Sequence, residues 1–151
     1  MSYRQEAPYT QSIESGESPK APEDDAVWEA EFTQQQVIAA AADAGVRLGS
    51  SVKSVSAGAK GDSGRIKTLR IDGTEVPANE FRVAIGSTDM KSTLITDLSF
   101  EDGLLKMKGK GYGHGVGMSQ WGAYAMAETG KNAEEIINTY FRDVIITQAW
   151  N

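Results

Sequence analysis

The stretch from Gly109 to Ala123, reading Gly-Lys-Gly-Tyr-Gly-His-Gly-Val-Gly-Met-Ser-Gln-Trp-Gly-Ala, constrains the fold more than any other part of the chain. It places five of the sixteen glycines at alternate positions from Gly109 to Gly117, and it carries the only histidine, His114. Glycine at every second position strips side chains from one face of an extended segment, so backbone can lie close against a ligand or another backbone. A helical pattern follows at once, with Met118, Trp121, Gly122, Ala125 and Met126 at i, i+3, i+4, i+7 and i+8. The expected layout is strand, glycine loop, helix N-terminus, where free N–H groups can receive a polar ligand.

The loop fails the tests for several familiar chemistries. A dinucleotide fingerprint needs glycine at its first, third and sixth positions, and the sixth falls on His114, Val116 or Met118. A P-loop needs Gly-Lys-Ser/Thr, but Lys110 is followed by Gly111. A nucleophile elbow would need glycine where Trp121 stands. Ser119 sits where a helix begins and reads as its N-cap. Trp121, on the apolar stripe, reads as core packing. His114 reads either as a hydrogen bond locking the loop or as a ligand contact, and Tyr112 offers a face on which a sugar can stack.

Charge narrows the partners. The formal net charge of −6 is carried entirely by residues 1–31, which hold eight acids against Arg4 and Lys20. The rest of the chain has thirteen acids and thirteen bases. A neutral body lacks the basic footprint that nucleic-acid binding needs. With no cysteine and one histidine, disulfides and zinc sites built from N and S ligands are excluded, and no cofactor is implied. No apolar run reaches membrane-spanning length, and no signal-peptide pattern is present. The Met-Ser start fits a cytoplasmic protein and equally an excised piece of an exported one.

Pattern and turn chemistry predict an α+β fold with a mainly antiparallel sheet of hairpins and three or four short helices. It should form a single compact domain behind an acidic extended arm, residues 1–27, which contains Pro8, Pro19 and Pro22. Within that arm Pro8–Ile13 is expected to dock and 14–26 to be loosely ordered. Ala26–Phe32 reads as a strand. Thr33 and Gln36 form a T-x-x-Q capping box opening a helix through Ala44, with Val37, Ile38 and Ala41 as its buried stripe and Gly45 as its stop. Ser51–Ala59 and Arg65–Asp72 read as paired strands, and Asp72-Gly73 turns the chain into Thr74–Val76. Asn79–Ile85 reads as a helix closed by Gly86. Thr93–Glu101 and Leu104–Lys110 form a hairpin about Asp102-Gly103. A helix over Met118–Thr129 follows, and an Asn132-x-x-Glu135 pattern opens another that buries Ile136, Ile137, Tyr140 and Phe141; Val144–Ala149 reads as a last strand.

The run from Gly109 to Ala123, extended by Ala125-Met126-Ala127 and Gly130-Lys131, closely resembles the signature of the stage II sporulation protein D and amidase-enhancer family. Weaker agreement covers Pro8-Tyr9, Ser12-Ile13-Glu14, Trp28 to Phe32, Gly64-Arg65, Leu69 to Gly73 and Glu80-Phe81-Arg82. By this resemblance residues 28–151 are the C-terminal portion of the family domain. The resemblance implies action on peptidoglycan glycan strands outside the cytoplasm, in the cell wall or the intermembrane space. It also implies a cell-wall amidase or other sporulation proteins as partners. In the family, a glutamate of an alanine-rich helical segment protonates the glycosidic oxygen while the sugar's own 6-hydroxyl attacks, which is lytic transglycosylase chemistry. No stretch here matches that segment, and the Cys/His cluster that binds zinc in some members has no counterpart, so the catalytic residue is unknown. Given a glycan as ligand, the chemistry of the run predicts substrate contacts at Gly111, Tyr112, Gly113, His114, Gly115, Gly117, Ser119 and Gln120: the glycines let backbone approach, Tyr112 stacks, and His114, Ser119 and Gln120 supply polar groups. Two readings stand: the glycan-binding portion of a wall-cleaving enzyme with its acid on another segment, or a wall-binding or amidase-activating module without chemistry of its own. An unrelated small-ligand binder sharing only the glycine loop is a third.

Overall fold

The computed structural model of the chain describes residues 27–113 and 117–149. Pro8–Ile13 and the rest of the expected arm through Ala26, together with His114, Gly115 and Val116, lie outside the described residues. The described chain is α+β and falls into two compact units, divided between Gly115 and Val116.

The first unit holds two three-stranded antiparallel sheets. In one, β6 (Leu104–Lys110) lies between β1 (Val27–Thr33) and β5 (Ile95–Glu101). Leu105, Met107 and Gly109 of β6 face inward, and Lys106, Lys108 and Lys110 face solvent. The period-2 alternation selects the face, and charge agrees with the register. Glu29 pairs across the ladder with Lys108 and Glu31 with Lys106, with ion-pair distances of 2.7 and 3.8 Å. The other sheet is a meander of β2 (Val55–Ala57), β3 (Thr68–Ile71) and β4 (Thr74–Pro77). Both Asp-Gly turns have positive φ at each central residue: 49° and 82° at Asp72 and Gly73, 51° and 75° at Asp102 and Gly103. That is what a type I′ hairpin turn requires.

Two helices complete this unit. α1 (Gln34–Asp43) opens on the expected capping box: the Gln36 N–H donates to Thr33 Oγ1 at 3.3 Å and the Thr33 N–H to Gln36 Oε1 at 2.8 Å. It buries Val37, Ala40 and Ala41, while Ile38 is half-buried. α2 (Ala78–Ile85) buries Phe81 and, unexpectedly for a charged residue, Arg82, and leaves Val83 exposed. The core gathers Trp28, Phe32, Leu69, Ile71, Val76, Phe81, Met90, Leu105 and Met107. Trp28 lies against β6 so closely that a Cβ on Gly109 would fall within its indole and 2.8 Å from the Leu94 carbonyl oxygen.

The second unit contributes α3 (Gln120–Glu128) and α4 (Ala133–Tyr140). α4 opens on the expected Asn132/Glu135 capping box and buries Ile136 and Tyr140; Ile137 and Phe141 are half-buried. The helix stripe expected from Met118 is only partly realised. Met118 is exposed, Trp121 is half-buried rather than core, and Gly122 is the one buried residue of α3. The large apolar residues of this nine-residue helix, Trp121, Tyr124 and Met126, do not gather on one face, so no continuous stripe is buried.

Two further expectations need correction. Val144–Ala149 forms no strand: no described segment hydrogen-bonds to it as a ladder partner, and Ile145 is 89% exposed. The strands expected over 51–59 and 65–72 are shorter, three and four residues long. Part of the reason is that Asp72 Oδ1 takes the N–H groups of Lys53 and Ser54 at 2.9 and 2.8 Å, diverting them from a ladder.

Two tests follow from this packing. Gly109→Ala is expected to cost about 1–3 kcal/mol or more, because a methyl would be forced into the Trp28 ring and backbone. Gly49→Ala, where an added Cβ meets nothing within 4 Å, should stay within about 0.5 kcal/mol; urea unfolding of both variants measures the difference. The Asp72 carboxyl is held below its usual 3.8 by the Lys53 and then the Ser54 amide hydrogen bonds. A depressed folded-state value means that this stabilisation is present above 3.8 and is lost as pH falls through the folded value. The stability difference between wild type and Asp72→Asn should therefore shrink below that pH, as read by thermal melts in an acid series.

Candidate functional site

The glycine stretch begins as β6 ends. Gly109 is already spent on packing, since its missing side chain makes room for Trp28. Lys110 closes the ladder by donating its N–H to the Leu94 carbonyl at 2.9 Å. The chain then turns through Gly111 and Gly113, at φ of +70° and +86°, a region that costs an ordinary L-residue about 1–2 kcal/mol. Gly113 donates its N–H to the Lys91 carbonyl at 2.8 Å and forms a parallel bridge with Ser92.

Ser92 is fully buried. Its Oγ accepts the Trp28 Nε1–H at 3.2 Å and the Leu94 N–H at 3.1 Å, and its hydroxyl donates to the Lys110 carbonyl at 2.6 Å. Burying a hydroxyl is costly unless its hydrogen-bonding groups are matched, and here one donor and two acceptors are all used. The loop is thus fastened through its backbone at Lys110 and Gly113, and the side chain between them is left outward.

That side chain is Tyr112, 57% exposed. The Arg82 guanidinium lies 5.9 Å from its ring centroid, within the range of a cation–π contact. Arg82 itself is 7% exposed, and its Nη2 donates to the Ser87 carbonyl at 3.4 Å. Arg65 closes in from another side, with Nη2 at 3.7 Å from where a Gly111 Cβ would stand. A tyrosine ring so held offers an apolar face and a phenolic O–H that donates and accepts, the combination a pyranose with hydroxyl and N-acetyl groups can use.

The expected contacts therefore separate. Gly111, Tyr112 and Gly113 are brought together in the first unit; His114 and Gly115 lie outside the described residues. Gly117, at φ +98°, Ser119 and Gln120 belong to the second unit. There Ser119 caps α3, its Oγ accepting the Gly122 N–H at 3.1 Å, and Gln120 is exposed as the first helical residue. Trp121 meets Tyr124 edge-on, with ring centroids 5.8 Å apart. Sequence reasoning did not find Ser92, and it gave Arg82 only within the Glu80-Phe81-Arg82 resemblance, with no role at the loop. Neither carries a local signal, because each reaches the loop through tertiary contact. Among the described residues no three His, Asp or Glu side chains converge to hold a metal ion. A chain with no cysteine and one histidine does not fit the Cys/His zinc set of some family members. Among the described residues, no helix is long and apolar enough to cross a membrane.

Comparison with known proteins agrees with this signature. Residues 3–117 match the family described as a domain of unknown function, DUF8618. An uncharacterized protein of Brachyspira hyodysenteriae (strain ATCC 49526 / WA1) is 37% identical over 84 residues, which are 56% of this chain and 23% of that protein. The amidase enhancer of Bacillus subtilis (strain 168) is 39% identical over 88 residues, 58% of this chain and 12% of that protein. The stage II sporulation protein D of Bacillus amyloliquefaciens is 34% identical over 89 residues, 56% of this chain and 24% of that protein. The aligned part of this chain therefore spans a quarter or less of the length of these relatives. The chain belongs to the DUF8618 family, and its relatives at 34–39% identity make it similar to the stage II sporulation protein D and amidase-enhancer family.

Proposed function

We propose that this chain is the peptidoglycan-strand-binding portion of an extracytoplasmic wall-processing protein, with the acid for glycan cleavage carried on another segment. The observation that supports this most is Tyr112: an exposed aromatic ring in a loop whose backbone is fastened at Lys110 and Gly113, with Arg82 beside it. A loop fixed by its backbone presents its side chain at little further entropic cost on binding. Gly111 and Gly113 keep the neighbouring surface low, so a sugar can approach. His114, Gly115, Gly117, Ser119 and Gln120 continue the same run and complete the proposed set. His114 supplies a group that donates or accepts near neutral pH.

A second reading is favoured by the likeness to the amidase enhancer. In it the same module engages a cell-wall amidase and does no chemistry itself. Binding isotherms with soluble, peptide-free glycan strands test the first reading. Tyr112→Ala should weaken binding by about tenfold, the worth of an aromatic stacking contact, while the melting temperature stays within a few degrees. His114→Ala should behave likewise. Losses of binding that merely track losses of stability would make the loop structural. A wild-type chain that ignores the strands yet accelerates a cell-wall amidase would replace the first reading with the second.

A further inference from the structure

We infer that Ser92 is the positioning residue of the glycine loop: its hydroxyl sets the direction in which the chain leaves β6, and through it the presentation of Tyr112. The inference rests on the glycan-binding reading of the loop, and it adds to that reading a residue outside the glycine run.

The hydroxyl is not a free rotor. With the indole N–H of Trp28 and the amide of Leu94 both donating to Oγ, the oxygen's acceptor capacity is taken, and its hydrogen can go only to the Lys110 carbonyl. At 2.6 Å this is the shortest of the three bonds. It fixes the last peptide plane before Gly111, the residue at which φ turns positive. The pairing partner of the chain also changes character here. Lys110 still belongs to the antiparallel ladder through Leu94, whereas Gly113 pairs in parallel with Ser92 itself. Ser92 therefore sits at the reversal, holding one end through its side chain, while the Lys91 carbonyl just before it holds the other by accepting the Gly113 N–H. Only Gly111 and Tyr112 lie between the two fastenings. If the Lys110 carbonyl were released, the glycines on either side of Tyr112 would let the ring wander, since glycine resists neither sign of φ.

A buried hydroxyl with three partners also stabilises, so the test must separate positioning from stability. Leu69→Ala supplies the control. Leu69 is fully buried on β3 and is partner to none of the hydrogen bonds at Ser92, Lys110 or Gly113. Ser92→Ala should speed hydrogen exchange at the Gly113 amide and weaken binding to soluble glycan strands, each by about tenfold, the worth of one lost hydrogen bond. Leu69→Ala should lose at least as much stability in urea yet bind within about twofold of wild type. Should Ser92→Ala fail to fold, Ser92→Cys keeps the shape with a weaker donor and should give an intermediate loss. Binding that falls in proportion to stability across these variants would overturn the inference, as would an exchange increase spread evenly over β1 and β6. A wild-type chain with no affinity for the strands would sink the glycan reading alone. In that case, faster exchange confined to residues 111–113 would still establish the positioning role, and unchanged exchange there would remove it.

Discussion

The contact of the Trp28 indole with Gly109 is the constraint on which the loop-bearing end of β6 depends. β6 must be flat and bare at that position for the ring to lie on it, and β1 must pair with β6 to bring the ring there. Once the ring is seated, its N–H points into the core and needs an acceptor, because an unmatched buried donor costs about 1–3 kcal/mol. Ser92 supplies that acceptor. The same hydroxyl then has one hydrogen to place, and it goes to the Lys110 carbonyl. A packing requirement is converted, through two hydrogen bonds, into a fixed exit direction for the loop.

This chain of cause runs from core to surface without a break in bonding. The loop that results is unusual in combining positive φ at Gly111 and Gly113 with fastened backbone at Lys110 and Gly113. Glycine usually brings looseness; here the lost conformational freedom is compensated by tertiary hydrogen bonds. Arg82 adds a further restraint from the last turn of α2, where a cation is favoured by the helix dipole.

What was legible in the sequence was local. The type I′ turns at Asp72-Gly73 and Asp102-Gly103 were readable because positive φ at two successive residues selects few residue types. The capping boxes at Thr33/Gln36 and Asn132/Glu135 were readable because both partners lie within one turn. What failed was non-local. The neighbour of β6 across the sheet could not be chosen before the Glu29–Lys108 and Glu31–Lys106 register was known. Val144–Ala149 has strand composition but no described partner, and composition alone does not make a ladder. Ser92 lies eighteen residues from Lys110 in sequence, so nothing in the glycine run points to it. Tyr112 and Ser119 were legible for opposite reasons: one as a side chain with no internal task, the other as an N-cap, which the Gly122 bond shows it to be.

The glycine run therefore does not act as one unit. Gly109 makes room for an indole, Gly111 and Gly113 turn the chain, Tyr112 faces solvent, and Ser119 spends its oxygen on a helix terminus. A likeness to a family signature along this run carries all of these roles at once and cannot sort them. Sorting them takes the physical accounting of what each residue touches. A residue whose polar atoms are consumed inside the fold has little left to offer a ligand, whereas one held in place with its own groups unspent does. By that criterion Tyr112, exposed in a loop fastened at Lys110 and Gly113, is the described residue of the first unit on which the proposed glycan contact rests, and Ser92, outside the run, is the residue proposed to set where it points.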